Sequence, residues 1–240
     1  KQKNRNITTV NFNVVSSDFF LPDFDFVYPI FKAGTTDAKQ LNVIEEIWTD
    51  LQQAQKFGSL VKIEEKLSIK LHGLVNQKGV TLFGEQEVAE YERFKTDFFK
   101  NLETAVAQYA TQQGNSFLTD KTKDAITFLK LITQKYDVAT ANPPYTDSGN
   151  FGPELKKFTD ANYAKPFKFN TNLYASFIKR CFELTNEKGK VAMIHPHTFM
   201  FIKTFEDVRK FMIEKSHIDV MVDFGLDRVN LFGPGILLDA

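Results

Sequence analysis

The sequence predicts an α/β protein, a mostly parallel sheet interrupted by a block of helices. Three observations carry this expectation. From Tyr136 onward the chain runs strand, loop, helix, strand, helix, strand, strand, the alternation of a parallel sheet with a closing hairpin. Its first strand, Tyr136–Ala141, runs straight into Asn142-Pro143-Pro144-Tyr145; two prolines stop a ladder abruptly, because proline fixes φ and carries no N–H. Before that strand, Asp37–Gln134 reads as mostly helical, far too long for an ordinary crossover, and so as an insertion.

Composition bounds the answer. A chain of 240 residues with 42% hydrophobic content buries a full core, as one large domain or as one domain with an insertion. Lys plus Arg equals Asp plus Glu at 30 each, so net charge gives no nucleic-acid footprint. Phosphate-contacting surface, if DNA is the partner, lies elsewhere or in local clusters. The single cysteine, Cys181, excludes an intrachain disulfide and fits a reducing, cytoplasmic setting. No apolar run reaches the length of a membrane span, so no membrane partner is expected. The chain opens on a polar run, Lys1–Asn6, without Met, and stops at Leu237-Leu238-Asp239-Ala240 as if in mid-strand. It reads as a piece of a larger protein.

The elements follow in order. Thr9–Val15 has strand composition and leads to Ser17-Asp18-Phe19. An acidic residue beside an aromatic at a strand end can grip an adenine ring; the plainer reading is a surface aspartate. Leu21–Thr36, rich in Pro and Phe, reads as irregular chain. Asp37-x-x-Gln40 resembles a capping box, opening a helix to about Phe57 with Leu41, Ile44, Ile47, Trp48 and Leu51 at helical spacing. Trp48 belongs in that core, and Gly58 ends the helix. Ile63–Gly79 is ambiguous. A long helix over Glu85–Gln113 has the stripe Val88, Tyr91, Phe94, Phe98, Leu102, Val106 and Tyr109, and stops at Gly114. A third, Asp120–Gln134, carries Ala125, Phe128, Leu129 and Ile132.

Past Tyr145, Thr146–Asn170 reads as a long loop. Asn172 then caps a helix over Leu173–Glu187, striped by Leu173, Phe177, Cys181 and Leu184 and terminated by Gly189. Lys190–His195 is a buried strand. Thr204-x-x-Asp207 opens a helix to Lys215 with Phe205, Val208 and Phe211 or Met212 inward. His217–Phe224 is the next strand, and another begins at Ile236. His195 and His197 form an H-x-H pair; a metal site would need a third ligand, and none is obvious, so no metal is expected. Two loop histidines beside the strand end are the alternative.

The turn after Ala141 suits one kind of chemistry. Asn142 offers a side-chain carbonyl, and a prolyl bond keeps its carbonyl while losing the N–H. Two acceptors on a stiff turn receive both hydrogens of a planar –NH₂ group, localising its lone pair. Tyr145 offers an aromatic face on which a base can stack, at roughly 1–3 kcal/mol per base. The carboxyl ends of the strands are where open α/β sheets bind ligands. The plainer reading of NPPY alone is a rigid turn.

This order, with NPPY closing its first strand, resembles the second half of a class I S-adenosylmethionine-dependent methyltransferase. More narrowly, it resembles the gamma-group N6-adenine DNA methyltransferases of single-chain restriction–modification enzymes and BREX phage-exclusion systems. Asn172-Leu173-Tyr174-Ala175-Ser176-Phe177 looks like the family's N/D-L-Y-x-x-F helix start, and Gly189–Ile194 with Pro196 like its G-x-V-x-x-I-x-P strand. Phe205 to Phe211 with Arg209, and Phe224-Gly225 with Phe232, fit the later helix and hairpin. Ser17-Asp18-Phe19 looks like the family's D-F pair, and Phe57–Leu60 like a BREX-type segment.

The resemblance implies a Rossmann-like fold and an adenine-specific DNA methyltransferase using S-adenosylmethionine. It implies a catalytic α/β domain over residues 1–36 and 136–240 around a helical insertion at 37–135. Asn142 and Pro143 would accept from the adenine amino group. Tyr145 would stack on the base and Phe232 contact its other side. Asp18, Phe19 and Pro144 would hold the cofactor adenine. Double-stranded DNA is the implied partner, with other restriction or BREX subunits. The family's Gly-rich loop is expected upstream of residue 1, so this fragment alone is expected to be weak or inactive. The family usually has a non-His residue where His195 stands. Two alternatives keep the fold: an NPPY methyltransferase acting on a protein glutamine or on RNA, and a non-catalytic DNA-binding or interaction subunit.

Overall fold

The computed structural model describes residues 14–15, 23–34, 38–77, 89, 92–93, 95–104, 107 and 116–223. Asp18, Phe19, Asp37 and Phe232 lie outside the described residues, as do Gly114, the strand expected from Ile236 and nearly all of the first expected strand. So do Val88, Tyr91, Phe94, Val106 and Tyr109 of the long helical stripe. The chain divides into two compact units, residues 1–133 and 134–240.

The first unit is helical. Its first helix, α1 (Phe24–Gly34), corrects the expectation of irregular chain. Pro29 lies inside it and costs one ladder bond, yet Val27, Ile30 and Phe31 are all buried. Burial of that i, i+3, i+4 face outweighs the proline. Phe31 meets Trp48 edge-on at 5.6 Å, which fixes α1 against α2 (Ala38–Gln52). The α2 stripe Leu41, Ile44, Ile47, Trp48 and Leu51 is buried as its spacing predicts. A break at Gln53 separates α3 (Ala54–Phe57), and Gly58 takes the positive φ of 53° that favours glycine there. The ambiguous stretch is α4 (Glu64–Gln77), with Leu67 buried and Lys66 bonded to Asp50 at 2.9 Å. Helix α5 covers residues 95–104 and α6 is Ser116–Ile132. Phe31, Ile44, Trp48, Phe98, Leu102 and Leu129 meet around one small void at the core's centre.

The second unit carries the sheet. Strand β1 (Tyr136–Ala141) pairs in parallel with β2 (Thr185–Met193), Ala139 opposite Val191 and Ala141 opposite Met193. The crossover contains two helices, α7 (Pro153–Tyr163) and α8 (Leu173–Leu184). Helix α7 replaces the expected loop. Its signal was Gly152-Pro153-Glu154, a proline at the first helical position with an acid in the first turn. Phe158, Thr159 and Tyr163 anchor it.

Helix α8 ends at Leu184, not Glu187, and β2 begins five residues before Lys190. Thr185 turns extended and its hydroxyl donates back to the Cys181 carbonyl at 3.2 Å; pairing with Tyr136 then outweighs another helical turn. The apolar residues buried on α8 are Tyr174, Ala175, Ile178 and Cys181, so of the predicted stripe only Cys181 is fully buried. Leu173, Phe177 and Leu184 are only half-buried, because packing on the Phe169–Thr171 turn and on both strands sets the inward face. Cys181 is the core thiol its position predicts, and burial pushes its pKa up.

Neither strand is fully buried. Val138 is 58% exposed, since α8 packs on the pair while no second described layer covers that side. The expected strand over 217–223 is not formed among the described residues; a strand exists only where a ladder partner takes its N–H and C=O groups. Val220, Met221 and Val222 are exposed, and the segment meets β2 through the Lys190–Asp219 ion pair at 2.5 Å. Helix α9 (Glu206–Lys215) follows a short turn, Lys203–Phe205. The helix buries Val208 and Phe211, and the turn before it buries Phe205. Phe211 rather than Met212 points inward, ringed by Phe167, Phe169 and Phe182 at 5.0–5.2 Å.

Candidate active site

The NPPY turn sits where the sequence places it, at the carboxyl end of β1. The ladder continues one step past the strand, Ile194 N–H donating to Ala141 O at 3.2 Å. The next residue is Asn142, aligned beside the end of β2. Pro143 is buried, while Asn142 and Pro144 are exposed and Tyr145 is half-buried. The stiff backbone thus anchors on Pro143 and presents the residues on either side of it. The Tyr145 phenol donates to Asn142 Oδ1 at 3.0 Å and reaches the Ile194 carbonyl at 3.5 Å. Burial raises the phenol's pKa, so the hydroxyl stays a donor at neutral pH.

Helix α8 holds the far side of the turn. Leu173 N–H donates to Thr146 O at 2.9 Å, and Asp147 and Asn172 form an isolated antiparallel bridge. Asn172, 3% exposed, accepts from Tyr174 N–H at 3.1 Å, which is the expected cap. Its amide nitrogen also donates to Asp147 Oδ1 at 2.8 Å and approaches Tyr145 O at 3.5 Å. Sequence reasoning found the cap and missed this second arm. Three polar residues in a row after the turn, Thr146-Asp147-Ser148, carried no sign of which would be reached from 25 residues away.

The other wall is aromatic. Tyr174 is buried and lies flat on His195, 5.4 Å between centroids and 3° between planes. Phe205 stacks on Tyr174 at 5.4 Å, and Phe199 meets His195 edge-on at 4.8 Å. Burial pushes the Tyr174 phenol up to about 12, partly offset by its contact with Thr198. Burial lowers the His195 pKa, so the ring is neutral. Its Nδ1 lies 3.1 Å from Pro196 O; a carbonyl only accepts, so Nδ1 carries the proton and Nε2 is an acceptor. The Arg209 guanidinium donates to Phe199 O at 2.6 Å and Ile202 O at 2.8 Å, tying this loop to α9.

The two histidines of the H-x-H pair therefore part company. His195 belongs to the aromatic wall, whereas His197 faces Asp223 at 3.8 Å and the Phe201 ring. Among the described residues no three His, Cys, Asp or Glu side chains come together as a metal site would need. No described helix is long and apolar enough to cross a membrane. Asn142, Pro143, Pro144 and Tyr145 are gathered at one strand end; Asp18, Phe19 and Phe232 lie outside the described residues.

Residues 37–232 match the family described as "Eco57I restriction-modification methylase". The chain is 35% identical over 83 residues to the adenine-specific methyltransferase PglX of Lacticaseibacillus casei (strain Zhang), covering 35% of the chain and 7% of that protein. It is 26% identical over 95 residues to the adenine-specific methyltransferase BrxX of Escherichia coli O9:H4 (strain HS), covering 40% of the chain and 8% of BrxX. Over 125 residues it is 27% identical to the type II restriction enzyme and methyltransferase RM.Eco57I of Escherichia coli, 48% of the chain and 12% of that enzyme. The matched stretches thus span about a tenth of each relative's length.

Proposed function

This chain belongs to the Eco57I restriction-modification methylase family, and on that premise we propose that the protein containing it methylates the N6 amino group of adenine in DNA. The observation that supports this reading best is the pairing of Asn142 and Pro143 on a stiff turn at the carboxyl end of β1, with Tyr145 beside them. The family and the names of the three relatives point the same way.

The proposed roles follow from the side chains. Asn142 Oδ1 and the Pro143 carbonyl accept the two amino hydrogens. Drawn out of the ring plane, those N–H bonds localise the nitrogen lone pair, which makes the nitrogen a nucleophile without a general base at the attack. Tyr145 swings from Asn142 to stack on the base. That stacking offsets part of the few kcal/mol spent in extruding a base from the duplex. Phe232 contacts the other face of the base.

S-adenosylmethionine, when bound, supplies an electrophilic methyl group on a positively charged sulfur. The described residues fit such a ligand: Pro144 stands exposed beside the acceptor Asn142 at the strand end, an apolar edge for an adenine ring. Asp18 and Phe19 are proposed to complete that cradle, the carboxylate accepting from the ring's amino group. The division into a catalytic α/β domain at 1–36 and 136–240 around a helical insertion at 37–135 belongs to the same proposal, with duplex DNA and restriction or BREX subunits as partners in the cytoplasm.

The test uses the full-length protein with duplex DNA and methyl-labelled S-adenosylmethionine, followed by digestion and separation of nucleosides. Label in N6-methyladenine, lost in Asn142→Ala, is the expected result. Label in RNA or in a co-purifying protein instead would overturn the DNA assignment, and cofactor binding without transfer to any substrate would favour a non-catalytic subunit.

A further inference from the structure

We propose that Asn172 is a positioning residue for the catalytic turn and that its partner in this task is Asp147. The proposal rests on the reading of NPPY given above and adds a residue pair to it. An N-cap needs only one acceptor oxygen, and Ser, Thr, Asp and Asn all supply it. Asn172 does more. Its Oδ1 caps Tyr174 N–H at 3.1 Å, while its Nδ2 donates to Asp147 Oδ1 at 2.8 Å and points at Tyr145 O at 3.5 Å.

The backbone carries the same junction. Leu173 N–H donates to Thr146 O at 2.9 Å, and Ser176 N–H to Asn172 O at 3.2 Å. Residues 145–147 are thereby laid antiparallel along 172–173, with the capping side chain 3% exposed at their centre. One carboxamide uses both ends: its acceptor fixes the start of α8, its donors fix the exit of the turn. Helix α8 is packed on both strands, so the clamp ties the exit of the turn, from Tyr145 to Asp147, to the same layer that carries Asn142 at the end of β1. Of the capping residues only asparagine carries its donor and its acceptor on separate atoms, Nδ2 and Oδ1; a Ser or Thr hydroxyl has both on one shorter-reaching oxygen, and an ionised Asp has no donor. In this chain the side chain of residue 172 therefore serves the turn as well as the cap.

Three variants of the full-length protein separate positioning from folding. Asn172→Ser and Asn172→Asp keep the cap oxygen and lose the amide that reaches Asp147, serine leaving one short O–H on the capping oxygen itself and aspartate none; Asn172→Asp also sets a carboxylate against Asp147. The double variant Asn172→Asp with Asp147→Asn restores the bond with donor and acceptor exchanged. Amide hydrogen exchange of the peptide spanning residues 142–150 reads the clamp without turnover. The expected result is faster exchange in both single variants, cooperative unfolding retained in all three variants, and recovery in the double variant. In adenine methylation, kcat falls on the order of 100-fold in Asn172→Asp, as for a reacting group displaced by an ångström, with KM for DNA nearly unchanged and most of the loss regained in the double variant. Wild-type exchange over 142–150 in Asn172→Ser would overturn the proposal. So would a double variant no better than Asn172→Asp in both readouts. Absence of methyl transfer by the wild-type protein would count against the functional reading alone, because the exchange measurement stands without it.

Discussion

The Tyr145 phenol donates to Asn142 Oδ1 across 3.0 Å, so the acceptor proposed for the substrate amino group already holds a donor from its own turn. An entering amino group must displace that hydroxyl. Removing it with Tyr145→Phe keeps the ring for stacking and deletes the competitor. One neutral hydrogen bond is worth about 0.5–1.5 kcal/mol net, so KM for target DNA should fall about 2- to 10-fold. Tyr145→Ala loses the ring and should raise it, by the roughly 1–3 kcal/mol of one stacked base. Steady-state methylation by the full-length protein measures both; a KM in Tyr145→Phe equal to wild type would show that the hydroxyl does not compete.

Gly189 sits at an irregularity of β2, where the register jumps from Tyr136–Thr185 to Val138–Lys190. A Cβ there would lie 2.8 Å from Thr185 Cβ and 3.1 Å from the carbonyl oxygens of Asn186 and Asp137. Two of these are backbone atoms and the third is the rigid base of a side chain, so the strand itself must move. Gly189→Ala should cost about 1–3 kcal/mol, as overpacking does. At Gly149 and Gly152 nothing lies within 4 Å of the added methyl, and alanine there should stay within about 0.5 kcal/mol of wild type. Denaturant unfolding of the three variants checks the contrast; equal losses at all three would refute it.

Burial between Tyr174 and Phe199 lowers the His195 pKa below its ordinary 6.5. The folded state therefore binds a proton less readily than the unfolded chain, and stability rises with pH wherever the unfolded chain holds more protons. The contribution is fully present above 6.5 and is lost as the pH falls through the lowered folded value. Acidification from neutral pH should depress the melting temperature, and His195→Phe, which keeps an aromatic ring in the stack, should flatten that dependence. Thermal scans over a pH series decide it: identical slopes for the two proteins would mean that His195 does not titrate across the transition.

What was legible in the sequence was local. Two consecutive prolines after an apolar run end a strand whatever surrounds them, and β1 stops at Ala141 as read. The 3.6-residue stripe of α2 put Trp48 in the core, and an asparagine before an apolar run capped α8. The NPPY turn could be named because all four of its residues are contiguous. Pro29 misled because local chemistry forbids it in a helix interior, and only the burial of Val27, Ile30 and Phe31 shows why the helix survives.

The tertiary structure decided whatever depends on partners distant in the chain. Which face of α8 turns inward depends on the strands and on the Phe169–Thr171 turn, so Tyr174 and Ile178 are buried with Cys181 in place of Leu173 and Phe177. Where α8 ends was settled by Thr185 pairing with Tyr136, 49 positions earlier. The flat stack of His195 on Tyr174 and the grip of Asn172 on Asp147 join residues 21 and 25 positions apart. Propensity and periodicity report only what a residue does with neighbours a turn or two away. The residues that hold the proposed site in shape act through contacts between segments far apart in the chain.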